Sequence, residues 1–303
     1  MFVLMFIAFF ITWKDSENRR KREFAIVCLA IASALKLYPA ILGILLIRDK
    51  RYEDCIKAMI YFLILFVIPF LIFKGGFSNI PLFFDGLSVF SEENTIGFNP
   101  NDLCITKTFR SFAMLLGASQ DAASILGLGM SIAFAILACL VIISVDDELK
   151  AIILSMIVLM IVPSPNYTYS MIYMYVPLSL ILNRLSDSKL HTDSRKELFF
   201  MLATIVIWYA FILGFEFVLL AYALYITYKT FKGWSPPWSW MISVYSFSLL
   251  SFSLASHLYV ETMSPYLHQI VLASSMIILG TYLVATNFKK AVKYGHKLRA
   301  CNE

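Results

Sequence analysis

Lys36 stands near the middle of the apolar run Phe24 to Ile47, three residues ahead of a proline, in Leu35-Lys36-Leu37-Tyr38-Pro39. A lysine at the centre of a membrane-spanning helix costs roughly 2.5–3.5 kcal/mol. Proline removes a backbone donor and crowds the preceding turn, so a helix kinks or breaks there. Charge and break fall together. That coincidence predicts that Lys36 faces protein or a polar cavity rather than lipid. The plainer alternative is a lysine that snorkels or pairs with a structural carboxylate.

The flanks of this run sharpen the reading. Arg19, Arg20, Lys21 and Arg22 precede it, and Arg48, Lys50, Arg51 and Lys57 follow. The positive-inside rule puts both ends on the cytoplasmic side. One straight helix cannot satisfy that. A re-entrant pair with the Lys36–Pro39 break at its tip can, and a single kinked span with a weak charge signal is the alternative. Composition supports a membrane setting throughout. The chain is 60% hydrophobic and only 15% charged over 303 residues, which predicts an all-α, polytopic transmembrane helical bundle with broken or re-entrant helices. The formal charge of +5 gathers in short loops and reads as topology, not as a nucleic-acid surface. Cys28, Cys55, Cys104, Cys139 and Cys301 have no ligand or redox spacing, so neither a disulfide framework nor a zinc site is expected.

Taken in order, Met1–Trp13 reads as the end of a spanning helix entering the cytoplasm, because its cations follow it rather than precede it. The expectation is a chain lacking an earlier part. Ala58–Phe73 crosses outward. Gly75–Lys107 reads as a long polar-aromatic extracytoplasmic loop, rich in acids, and Ile105–Leu116 as an interfacial helix. Ala122–Ser144 is the cleanest span and returns inward to Asp146-Asp147-Glu148. Ala151–Leu182 repeats the first puzzle: it is long for one span, and Pro163-Ser164-Pro165-Asn166-Tyr167-Thr168-Tyr169 interrupts its middle. Exposed backbone in hydrocarbon is costly, so a second break facing protein or water is expected. Leu198–Tyr228 is a third such run, with Glu216 its only acid. A buried carboxylate there marks an ion pair, a functional site or a hairpin tip. Met241–Ser256 and Ile270–Asn287 read as the last spans, so residues 1–288 form one transmembrane domain. Residues 289–303 form a basic cytoplasmic tail. His257 and His268 lie in a loop between them and lack metal-ligand spacing.

Phosphate-binding loops, dinucleotide fingerprints, zinc-binding helices and nucleophile elbows are all missing. What remains are the breaks and one long outer loop. If the breaks reach outward, Lys36, Tyr38, Asn166, Tyr167 and Tyr169 converge beneath the loop carrying Asp102 and Arg110. Such a set suits a phosphate-bearing, polyhydroxylated substrate: a cation holds phosphate and a carboxylate activates an acceptor hydroxyl.

At these residues the chain resembles glycosyltransferase family 87. Leu35-Lys36-Leu37-Tyr38-Pro39 between basic loops, with Arg48-Asp-Lys-Arg51 closing it, is similar to the corresponding region of that family. Val162-Pro-Ser-Pro165-Asn-Tyr-Thr-Tyr169 resembles its second recurrent break, although Thr168 stands where the family pattern has histidine and the preceding aromatic is displaced. The stretch Asn101-Asp102 to Arg110 fits its outer loop. The resemblance spans roughly Met1 to Arg184 and implies a multispanning transferase of the C-type fold, without metal or cofactor. It implies hexosyl or pentosyl transfer, often of mannose or arabinose, from a polyprenyl-phosphate-linked donor to a glycan or glycolipid acceptor. The active face would be the outer face of the cytoplasmic membrane, among membrane lipids. Lys36 carries over as a donor-phosphate contact. The family's catalytic aspartate lies in a first outer loop with no counterpart here, which leaves Asp102 and Glu216 as substitutes. A transporter or flippase for a lipid-linked anionic substrate, and a non-catalytic membrane subunit, are the competing readings.

Overall fold

The computed structural model describes residues 2–13, 18–96, 102–163, 166, 168–186, 194–195, 197–202, 204–205, 273–274, 276–288 and 292. The described residues are built from helices: α1 (Phe2–Trp13), α2 (Arg19–Leu35), α3 (Gly43–Arg48), α4 (Tyr52–Ile72), α5 (Asn79–Ile96), α6 (Ile105–Leu115), α7 (Gln120–Ser144), α8 (Glu148–Ile161) and α9 (Tyr175–Leu185). Tight 3-10 turns at Tyr38–Leu42 and Thr168–Met174 stand at the two breaks.

Local chemistry starts the helices. The Asn18 side chain accepts from the backbone N–H groups of Arg20 and Lys21 and caps α2. Ser119 caps α7 through Ala122, and Asp147 caps α8 through Leu149. Each satisfies a donor that the first helical turn leaves unpaired. Gly117, at φ +87°, ends α6 in the left-handed conformation that closes helices without a Cβ penalty.

The first broken run is a hairpin. Asp54, at the start of α4, receives Arg51 Nε at 2.7 Å and Arg22 Nε at 3.2 Å on one carboxylate oxygen. Lys57 reaches Glu23 at 2.7 Å. Arg22 opens α2 and Arg51 follows α3, so the run leaves this end and comes back to it. This is the chain path that a re-entrant pair requires, and not that of one kinked helix. The second run behaves alike. Asp147 opens α8 and Arg184 closes α9, and their side chains meet at 2.7 Å. The two hairpins are tied together at the same end, where Arg48 donates to the carbonyls of Val145 at 3.1 Å and Asp146 at 2.8 Å. Arg51 also donates to the Trp13 carbonyl at 2.6 Å, which brings the end of α1 to this polar plate.

Helix rise locates the breaks. Arg22 to Leu35 spans about 20 Å at 1.5 Å per residue, and α8 spans about 21 Å, whereas α4 extends about 31 Å. The two tips meet on α8: the Tyr38–Leu42 turn and the Thr168–Met174 turn both pack against it.

Among the described residues, two helices are long and apolar enough to cross a membrane, α4 and α7. Their most apolar windows are only 11% and 28% buried, unlike the core helix of a soluble protein. Ile60, Leu63, Ile64 and Leu71 on α4, and Ile125, Leu128, Ile132 and Ile136 on α7, all face outward. Helix α8 is the opposite case: Leu149 and every residue from Ala151 to Ile161 are buried. Hydropathy alone cannot separate these two environments.

One expectation needs correction. The stretch 75–107, read as a loop, is helical from Asn79 to Ile96. Gly75 turns the chain at φ +105°, and Phe83 then packs on Phe66 and Phe70 of α4 with ring centroids 5.7 and 6.0 Å apart. Aromatic pairing with α4 outweighs the polar composition that suggested a loop. The expected interfacial helix is α6, and it packs closely along α7. A Cβ placed on Gly127 would lie 2.2 Å from the Thr106 carbonyl oxygen, so only glycine permits this approach. The expected third broken run and the Met241–Ser256 span lie outside the described residues, apart from the start of Leu198–Tyr228. The basic tail is outside them except for Val292. An apolar helix at Met276–Phe288 falls where the last span was expected.

Candidate functional site

The end opposite the polar plate carries the residues singled out from sequence. Lys36 ends α2 in extended backbone, its N–H bonded to the Ala32 carbonyl at 3.1 Å. The proline three residues on keeps the chain out of the helix, and Pro39 opens the 3-10 turn, where its fixed φ suits an N-terminal position. Lys36 and Tyr38 are half-buried. Arg110 is half-buried as well, and its Cβ lies 3.4 Å from the Cβ position of Gly127, which puts it on the α7 side of α6.

The second break is held from two sides. Asn166 Nδ2 donates to the carbonyls of Met160 at 2.6 Å and Leu159 at 3.3 Å, which satisfies acceptors the last turn of α8 leaves open. The backbone of Asn166 pairs with the segment that leads into α6: Leu103 N–H donates to its carbonyl at 2.7 Å, and its own N–H donates to Asp102 Oδ1 at 3.0 Å. Asp102 Oδ1 also accepts from Cys104 N–H at 3.1 Å. The other carboxylate oxygen of Asp102 meets Lys107 Nζ at 2.9 Å. Asp102 has no exposed surface, and Lys107 is 5% exposed. A charge pair this far from water persists only when both members are matched.

Sequence reasoning thus joined Asp102 and Asn166 correctly to one neighbourhood, and missed Lys107. Its signal was available: a cation one turn into α6, five positions after an acid that precedes the helix. Asp54 was missed too. Tyr167 and Glu216 lie outside the described residues, and so does the Tyr169 side chain. No group of three or more His, Cys, Asp or Glu residues that could hold a metal occurs among the described residues.

The residue types separate by access. Lys36 and Arg110 are half-buried, whereas Asp102 and Lys107 are buried and paired with each other. Residues 1–165 match glycosyltransferase family 87. The chain belongs to that family. It is a family of membrane glycosyltransferases, and the outward apolar faces of α4 and α7 fit that setting. No curated protein and no solved structure matches the chain.

Proposed function

We propose that this family 87 chain transfers a hexosyl or pentosyl unit from a polyprenyl-phosphate-linked donor to a glycan or glycolipid acceptor. In this reading it is a multi-pass bundle in the cytoplasmic membrane, with its active face extracytoplasmic. The observation that carries it is the pair of hairpin tips meeting on α8. They put Lys36 and Tyr38 of the first break at the same end as Asn166 of the second. The bundle that carries the tips also presents the apolar helices α4 and α7, along which a lipid chain can stay in the bilayer while its phosphate reaches a cation. Lys36 and Arg110 hold the donor phosphate by charge-assisted hydrogen bonds. Tyr38, Tyr167 and Tyr169 offer polar contacts to the sugar, and Asn166, buried and bonded to the end of α8, shapes the break beside them.

The acceptor hydroxyl needs a carboxylate to take its proton. We assign that role to Glu216, since Asp102 is fully buried and already ion-paired. A rocking transporter fits less well, because Arg48 ties the two hairpins at the polar plate. The test is binding and turnover in lipid nanodiscs with a radiolabelled polyprenyl-phosphate sugar. Lys36→Ala is expected to weaken donor binding while the protein still elutes as a folded species. Glu216→Gln is expected to bind donor and lose turnover by about 10²- to 10⁴-fold. Unchanged donor affinity in Lys36→Ala would remove Lys36 from the site.

A further inference from the structure

We propose that Asp102 is a positioning residue, which with Lys107 forms a buried clasp that fastens the second break to the start of α6. It is not the base of the transfer reaction. The inference rests on the reading of this end of the bundle as the transfer site, and it deepens that reading.

Four observations carry it. Asp102 is wholly buried, so neither water nor an acceptor hydroxyl reaches its carboxylate without rearrangement. One oxygen is occupied by two backbone donors, Cys104 N–H and Asn166 N–H, the second of them 64 residues away in the chain. The other oxygen holds Lys107 Nζ at 2.9 Å, and Lys107 is almost as deeply buried. Beside this contact the Leu103 N–H bonds the Asn166 carbonyl at 2.7 Å, so the segment that leads into α6 and the break share a short backbone bridge. A general base has to accept a proton from a group it can approach. Asp102 instead accepts hydrogen bonds from atoms whose positions define the break. The same Asn166 caps α8, on which the Tyr38–Leu42 turn also rests. The clasp therefore fixes both tips through one helix.

A neutral pair can keep the shape. In the double variant D102N/K107Q, the Asn oxygen still accepts the two backbone N–H groups, and its amide can donate to the Gln oxygen. The single variants D102A and K107Q each strand one buried charge or its former partners. Two readouts separate the possibilities. The first is labelling of Cys104 by N-ethylmaleimide in the intact protein, quantified on its own peptide. Cys104 is fully buried and its backbone is held by Asp102, so it reports the clasp without requiring any activity. The second is sugar transfer from the polyprenyl-phosphate donor.

The expected result is slow Cys104 labelling in the wild type, fast labelling in D102A and K107Q, and slow labelling again in D102N/K107Q. Transfer should fall in both single variants and return near the wild-type level in the double variant. A double variant that stays protected at Cys104 but loses transfer by about 10²-fold or more would make Asp102 the base and overturn the proposal. So would slow labelling in D102A. A wild type that transfers no sugar would sink the transferase reading, and the labelling pattern would still decide whether the clasp exists. If D102A cannot be purified, K107Q and the double variant decide by the same comparison.

Discussion

Asp54 is the point at which the hairpin reading can fail most clearly. Replacing it with alanine leaves two guanidinium groups without their shared carboxylate. At an effective dielectric near 20, the 2.7 Å contact to Arg51 corresponds to about 6 kcal/mol of gross attraction, and the 3.2 Å contact to Arg22 to about 5 kcal/mol. Desolvation offsets most of this. Breaking one buried pair typically destabilises by about 3–5 kcal/mol. The Arg51 contact belongs to that class, since the Asp54 side chain is 2% and the Arg51 side chain 14% exposed. The Arg22 side chain is 32% exposed, so its contact adds under about 1 kcal/mol. Asp54→Ala should therefore lose about 4 kcal/mol, or roughly 10 °C in apparent Tm for a chain of this size. The assay is thermal unfolding in detergent, followed by intrinsic fluorescence. Glu53→Ala is the control: the same helical turn, the same charge, and an exposed side chain. An Asp54→Ala shift no larger than that of Glu53→Ala would refute the buried contact. The hairpin itself is tested by a double-mutant cycle with Arg22→Ala. Coupling of about 0.5 kcal/mol or more puts the start of α2 beside the start of α4, and zero coupling denies it.

Three further expectations follow from the packing. Gly127→Ala should destabilise by about 1–3 kcal/mol, because its Cβ meets the Thr106 backbone oxygen at 2.2 Å. Gly129→Ala, with open space around the new methyl, should be neutral or stabilising by up to about 1 kcal/mol. Thermal shifts of the two side by side check the contrast. Asn166→Ala removes the donor that satisfies the Met160 and Leu159 carbonyls and should destabilise by about 1–3 kcal/mol, read by hydrogen exchange at the end of α8. Burial pushes the Asp49 carboxyl above its ordinary 3.8, against the opposing pull of Arg48 beside it. The folded state thus holds that proton more tightly than the unfolded chain, and stability declines as pH rises from 3.8 through the raised value. Asp49→Asn should flatten this decline in a pH series of Tm values, and an unchanged slope would assign it to another group.

Much of the architecture was legible because it is written in local pattern. The charge bracket around Phe24–Ile47 and the Lys36–Pro39 coincidence indicated a hairpin, and Arg22 and Arg51 do share one carboxylate. The two helices long and apolar enough to cross a membrane, α4 and α7, follow from apolar length. The second break follows from its prolines. What escaped was partnership across long separations. Nothing near Asp54 in the chain says that it serves Arg22, and nothing near Asp102 says that it binds the backbone of Asn166. Helix α5 was hidden for another reason. Its polar residues resemble those of a loop, and only the edge-to-face packing of Phe83 on Phe66 and Phe70 reveals what orders it.

At the tip end, position in three dimensions matters more than a count of cations. A donor phosphate is drawn by net positive charge within reach, and buried partners screen one another almost completely at close range. Asp102 and Lys107 cancel inside the clasp, so they contribute little field beyond it. Lys36 and Arg110, half-buried at the tip and on α6, are the cations that the proposed function assigns to the donor phosphate. Hydropathy made Lys36 conspicuous because it sits in an apolar run. Lys107, also a cation near the break, was inconspicuous, and its geometry makes it a structural partner. The same separation explains α8. Its apolar surface is consumed by the two tips and the helices around it, and that gives the tips one rigid support.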